Sequence, residues 1–217
     1  LQILAGIGND RRIMVRHFRL YALLALALGA LAIVLAVHVA RADADGRDAL
    51  RRIVQQQCVE HWLHQRETAP CEAVTLPAAP ALAGGYAVLA DRKGGAHFLL
   101  IPTDSIIGIE SPALARPDAP NYLADAWDAR RNLESRLGHA VDWDLVGLAV
   151  NPRYARSQDQ LHIHIECLGP QAHGALRAAT DTLPARWTAL QIGRWRYQAR
   201  RLRGRGLQGV NPFAVLA

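Results

Sequence analysis

Hydrophobic and polar positions divide the chain into a long apolar block followed by short alternating segments. Residues 20–39 form an unbroken run of Leu, Ala, Val, Ile, Gly and one Tyr, with His38 as the single polar intruder. At about 1.5 Å per residue such a run spans a hydrocarbon core of about 30 Å. Beyond it, Leu50, Ile53, Val54, Cys58 and Trp62 recur at helical spacing, predicting an amphipathic helix over residues 48–62. Residues 85–90 and 97–101 read as strands joined by a hairpin turn at 91–95. Residues 75–85 and 103–120, rich in Pro, Ala and Gly, read as loops. Asn121 is positioned to cap a helix running through Leu137, with Gly138 just past its end. Strands are predicted over 145–150 and 160–168, a helix over 172–183 and a further strand over 194–202. The order β-β-α-β-β with short connections predicts an antiparallel α+β domain.

Charge gives the apolar block an orientation. Arg11, Arg12, Arg16, His17 and Arg19 precede it, while Arg41, Asp43 and Asp45 follow it. A basic leader stays cytoplasmic, so the rest of the chain is expected to be exported. The expected organisation is therefore a cytoplasmic leader (1–19), a single transmembrane anchor (20–40) and an exported domain (46–217). Cleavage near Ala40-Arg41-Ala42 is the rival reading, but the run exceeds the apolar core of an ordinary signal peptide. The one methionine is Met14, so residues 1–13 read as upstream of a start there, and the C-terminal end reads as a truncation.

Collagen, coiled coil, disordered chain and polytopic membrane protein are excluded by composition. Net charge is +6, and Lys93 is the one lysine among 25 cationic residues. An arginine-rich surface suits a phosphate-bearing partner, because the guanidinium fork matches phosphate oxygens. In an exported domain Cys58 and Cys71, thirteen residues apart, are expected to pair, leaving Cys167 odd. The arginines of 194–205, interleaved with Trp195 and Tyr197, read as a solvated edge or a face toward anionic headgroups, not a nucleic-acid surface.

The stretch with the most chemistry is Gln160-Leu161-His162-Ile163-His164-Ile165-Glu166-Cys167-Leu168. On a strand it projects His162, His164 and Glu166 from one face, at steps of about 7 Å, and Leu161, Ile163, Ile165 and Cys167 from the other. Three readings compete: a metal site such as zinc, a histidine nucleophile toward phosphorus, and solvent-facing histidines. The preceding segment supplies Asn151, Arg153, Arg156, Ser157 and Gln158. An amide, a hydroxyl and guanidinium groups without a second carboxylate cluster favour phosphoryl chemistry that needs no metal or other cofactor. His97, at the start of a strand, reads as a surface residue.

Asn151, Gln158 and His162-x-His164 at these spacings resemble the histidine-triad hydrolases and nucleotidyl transferases, as does Leu99-Leu100-Ile101-Pro102. More specifically the chain resembles the bacterial membrane-anchored CDP-diacylglycerol pyrophosphatases. The matching blocks are Arg52-Ile53-Val54 with Gln57-Cys58, Ala69-Pro70-Cys71-Glu72, Gly85-Tyr86-Ala87-Val88-Leu89, residues 98–103 with Gly108-Ile109-Glu110-Ser111-Pro112, residues 151–164, and Ala199-Arg200-Arg201. The resemblance implies a histidine-triad-like antiparallel sheet with packed helices. It also implies hydrolysis of CDP-diacylglycerol to CMP and phosphatidate at a bacterial inner membrane, with the catalytic domain in the periplasm. By the same resemblance His164 is the nucleophile that briefly carries the nucleotide, and His162 orients it. Asn151, Gln158 and Ser157 donate to phosphate oxygens, and Arg153 and Arg156 clamp or steer the pyrophosphate. Glu166 stands where the superfamily has its third histidine. The alternatives are a zinc-dependent phosphodiesterase using His162, His164 and Glu166, and a non-enzymatic anionic-lipid-binding module.

Overall fold

A computed structural model describes residues 26, 28–39, 46–78, 84–92, 94–202 and 206–216. The leader, residues 20–25, 27 and 40 of the expected anchor, residues 79–83 of a predicted loop, Lys93 of the hairpin turn, and Arg203 and Arg205 lie outside them. The chain divides into two units, residues 1–46 and 47–217.

In the first unit residues 28–39 are helical (α1) and exposed throughout. Among the described residues no helix is long and apolar enough to cross a membrane.

The second unit is built on a five-stranded antiparallel sheet. Its strands are β1 (Ala73–Thr75), β2 (Tyr86–Ala90), β3 (His97–Pro102), β4 (Val146–Ala149) and β5 (Ile163–Cys167), in the order β1-β2-β3-β5-β4. The antiparallel α+β expectation therefore holds. Strand β1 is an addition, carved from a stretch that starts a predicted loop. It forms because Val74 is buried with Ala87 and Leu99, which gives a short edge strand an apolar contact.

Each face of the sheet has its own core. On one face Val88, Phe98, Leu100, Ile163 and Ile165 pack with Tyr122, Ala126 and Leu133. These last come from α4 (Tyr122–Asp128) and α5 (Arg131–Leu137). A single helix over 121–137 was expected; two form. Asn121 caps α4 by accepting from Ala124 N, and Gly138 ends α5 at φ 74°. Between them the Arg130 guanidinium donates to Trp127 O at 2.6 Å and the Asn132 amide to Ala129 O at 2.8 Å. Side chains that take helix carbonyls compete with the ladder and break it.

On the other face Leu99, Ala87 and Ile101 pack with Val54, Cys58 and Val59. The predicted amphipathic helix runs on to Gln65, as α2 (Ala49–Ile53), a π-helical segment (Val54–Val59) and α3 (Glu60–Gln65). A disulfide joins Cys58 to Cys71.

The predicted strand over 194–202 is β7 (Trp195–Ala199). It pairs with β6 (Thr188–Ile192) in a separate two-stranded ribbon. The helix expected at 172–183 is α6 (Pro170–Ala179), started by Pro170 at its first turn, and α7 (Pro212–Leu216) buries Phe213 in the first core.

Candidate active site

Strand β5 is an interior strand, paired with β3 on one side and with the edge strand β4 on the other, and its alternation decides what faces where. Ile163 and Ile165 are fully buried against α4 and α5. Each stabilises the fold by about 1.5–3 kcal/mol, which locks the register and turns His164 to the opposite face. His164 is paired in register with Leu99 of β3 and Ala149 of β4. Directly paired residues share a face, so His164 stands on the side covered by α2 and the π-helical segment over β1–β3. That cover stops short: Ala149 and Glu166 are exposed and His164 is half-buried. The open end of this face is where the imidazoles meet.

His164 Nδ1 lies 2.9 Å from His97 Nε2, and His164 Nε2 lies 3.1 Å from the Asn151 side-chain nitrogen. The His97 and His164 ring centroids are 5.1 Å apart. His162 sits just before β5, buried, with Nδ1 2.7 Å from Gln160 O and its ring edge-on to His164 at 5.1 Å. His97 Nδ1 faces Asp91 Oδ2 at 3.6 Å.

His97 is thus not the surface residue its sequence position suggested. The register of β3 against β5, which places His97 two residues along from Leu99, the partner of His164, and so diagonally beside His164 on the same face, brings it to the cluster. Asp91 follows because the β2–β3 hairpin closes with Asp91 N donating to His97 O. Neither signal is visible without the strand pairing.

The structure brings His164, His162 and Asn151 together. It commits other candidates elsewhere. Gln158 accepts at Oε1 from Leu50 N, tying the 151–160 loop to α2. Arg156 is buried, and its guanidinium donates to Glu110 and Asp159. A Cβ on Gly108 would lie 2.5 Å from Arg156 Nη1, so the glycine of Gly108-Ile109-Glu110 leaves room for that guanidinium. Arg153 and Ser157 are exposed. Glu166 is exposed too, and Cys167, expected on the apolar face, is exposed at the last position of the strand.

Among the described residues the donors that approach one another closely enough for a metal are Asp91, His97 and His164, within 4.8 Å of one another. Glu166 is outside that set, so the triplet His162, His164 and Glu166 is not assembled as a metal site. A cleft lined by Trp127, Trp143, Asp144, Val146, Leu168 and His173 lies between the β4 edge and α6 and includes none of the candidate residues.

The Arg156 network carries a pH signature. Arg47 first, then Arg156, holds the Asp159 carboxyl down to about 2, and Arg156 likewise lowers Glu110. A depressed carboxylate stabilises the fold above its unfolded value, about 3.9 for Asp, and that stabilisation is lost as pH falls through the folded value. Chemical denaturation between pH 5 and pH 2 is expected to show stability falling with acid, with a shallower slope in Asp159→Asn. An equal slope in the variant would contradict the assignment.

Comparison with known proteins bears on the whole of the second unit. Residues 45–217 match the family model described as CDP-diacylglycerol pyrophosphatase. A curated relative, CDP-diacylglycerol pyrophosphatase of Yersinia pestis, is 44% identical over 172 residues, covering 78% of this chain and 64% of the relative. The chain therefore spans less than two thirds of that relative's length.

Proposed function

The chain belongs to the CDP-diacylglycerol pyrophosphatase family, and from that premise we propose that it hydrolyses the pyrophosphate bond of CDP-diacylglycerol through a nucleotidyl-His164 intermediate. The observation that carries this reading is the position of the His164 ring. It is half-buried on the open end of the sheet face, with Nδ1 against a second imidazole and Nε2 against the Asn151 amide. An imidazole whose far nitrogen is held is a good nucleophile at the near one.

The step balances simply. The Nε2 lone pair attacks the cytidine-side phosphorus, and the bond from that phosphorus to the bridging oxygen breaks. Phosphatidate leaves as a phosphate monoester anion and needs no proton. Water then attacks the phosphorus, the P–N bond breaks, and CMP departs with the water's oxygen while the water's proton is released. Asn151 is the amide best placed to follow the phosphate oxygens as their charge redistributes. His162, anchored on Gln160 O, keeps the His164 ring from turning. Arg153 and Ser157 lie on the same approach loop, and their exposed groups are available to the pyrophosphate. Gln158 and Arg156 serve the reading differently from a direct clamp: they brace the loop that carries Asn151.

The same proposal gives residues 20–40 the role of a membrane anchor in a bacterial inner membrane, with residues 46–217 on the periplasmic side. Its support is the apolar run and the basic residues ahead of it. A diacyl substrate stays in the bilayer, and a tether raises the local concentration of enzyme at that surface.

The test is to trap the intermediate. CDP-diacylglycerol labelled at the cytidine-side phosphate should leave label on the protein after alkaline quenching, and acid should remove it, as a phosphoramidate requires. Release of CMP with no label trapped at any quench time would reject the covalent route. Failure to release CMP at all would favour the lipid-binding module.

A further inference from the structure

We propose that His97 and Asp91 are positioning residues that set the tautomer of His164 and leave Nε2 as its attacking atom; this rests on the reading of His164 as the nucleophile. The argument is one of donors and acceptors. The Asn151 side-chain nitrogen only donates, so His164 Nε2, 3.1 Å away, accepts and presents a lone pair. A neutral ring then carries its proton on Nδ1. His97 Nε2, 2.9 Å from that Nδ1, accepts it. His97 must therefore carry its own proton on Nδ1, which faces the Asp91 carboxylate at 3.6 Å. That spacing is beyond an ordinary hydrogen bond and within electrostatic reach. From Asn151 through His164 to His97 each donor meets an acceptor, and reversing either imidazole breaks a hydrogen bond; Asp91 adds its charge beside the protonated Nδ1 of His97.

The backbone holds this order. Asp91 N donates to His97 O at 2.9 Å and Gly94 N to Asp91 O at 3.1 Å, which closes the β2–β3 hairpin and keeps the two side chains adjacent. His97 and Asp91 side chains are 16% and 15% exposed, so solvent screens their interaction weakly. On β5, Glu166 is paired in register with His97 but is exposed. As Nε2 bonds to phosphorus the His164 ring acquires positive charge. The His97 lone pair and the Asp91 charge then stabilise it, and the Nδ1 proton stays in place until the P–N bond breaks. The arrangement is the logic of a base oriented by a third group, with histidine as the nucleophile.

Two measurements test this independently. Nitrogen-15 imidazole spectra of the full chain in detergent should show His164 protonated at Nδ1 and not at Nε2; the opposite tautomer overturns the proposal. In assays of CMP release, His97→Ala should lower kcat by about 100-fold with KM changed by less than about threefold, and Asp91→Asn should lower kcat by about tenfold. His97→Gln, whose amide oxygen accepts from Nδ1, should recover about tenfold over His97→Ala. If His97→Ala keeps the parent kcat while His164→Ala is inert, the relay is wrong and the nucleophile stands. If His164→Ala turns over normally, His164 is not the nucleophile and the proposed mechanism fails together with the relay. Loss of activity on chelation with recovery on added zinc would assign Asp91, His97 and His164 to a metal and overturn the relay.

Discussion

On the proposed mechanism, turnover of CDP-diacylglycerol is expected to fall by at least about four orders of magnitude when His164 is replaced by alanine. The size follows from the proposed division of labour. With the imidazole gone, one displacement by water must replace two displacements of lower barrier, and at about 1.4 kcal/mol per decade the loss exceeds about 5 kcal/mol of transition-state stabilisation. Binding should survive better than turnover, because Asn151 and the 151–160 loop remain. His164→Gly reopens the space of the ring, and added imidazole should restore part of the rate by acting from solution. His162→Ala should cost less, about 10- to 100-fold, since the proposal gives His162 only the task of holding the neighbouring ring, which it meets edge-on. The measurement is CMP release from mixed micelles. Parent-level activity in His164→Ala would end the proposed mechanism.

Loss of the Cys58–Cys71 disulfide is expected to lower the stability of the second unit by about 3 kcal/mol, the chain-entropy value for a loop of this size. Both cysteines are buried in the second core, with Val54, Val59 and Leu99. The bond therefore fastens the helical segment to the sheet face that carries His164. That segment reaches the site by two further contacts: Leu50 N donates to Gln158 Oε1, and Asp159 N donates to Arg47 O. Loosening it should slacken the loop holding Asn151, so kcat should fall before global unfolding is reached. Chemical denaturation of the oxidised protein, the reduced protein and Cys58→Ala/Cys71→Ala checks the first part. CMP release at denaturant concentrations below the transition checks the second. Equal stability of oxidised and reduced protein would refute the argument.

The buried Arg156 shows why loop residues are hard to read from their type. Its position in an arginine-containing loop before the histidine strand suggested a phosphate contact. Glu110 and Asp159 are 46 residues before it and three after it, and only folding makes them a cage. Burying a guanidinium requires matched carboxylates, so this arginine is spoken for by the fold. The block Gly108-Ile109-Glu110 is legible as a motif but not as the other half of that cage. Its glycine is needed for the close approach of the guanidinium.

The family and the antiparallel α+β class were present in the one-dimensional pattern, because ordered motif blocks and period-two alternation are local properties that survive without coordinates. Asn121 as a helix cap and the inward turn of Ile163 and Ile165 were legible for the same reason. The partnership of Asp91, His97 and His164 was not. It depends on the register of β2 with β3 and of β3 with β5, and a shift of one residue would turn His97 to the opposite face. Register is decided by how two cores pack against the two faces of the sheet at once, a long-range condition that no local spacing encodes.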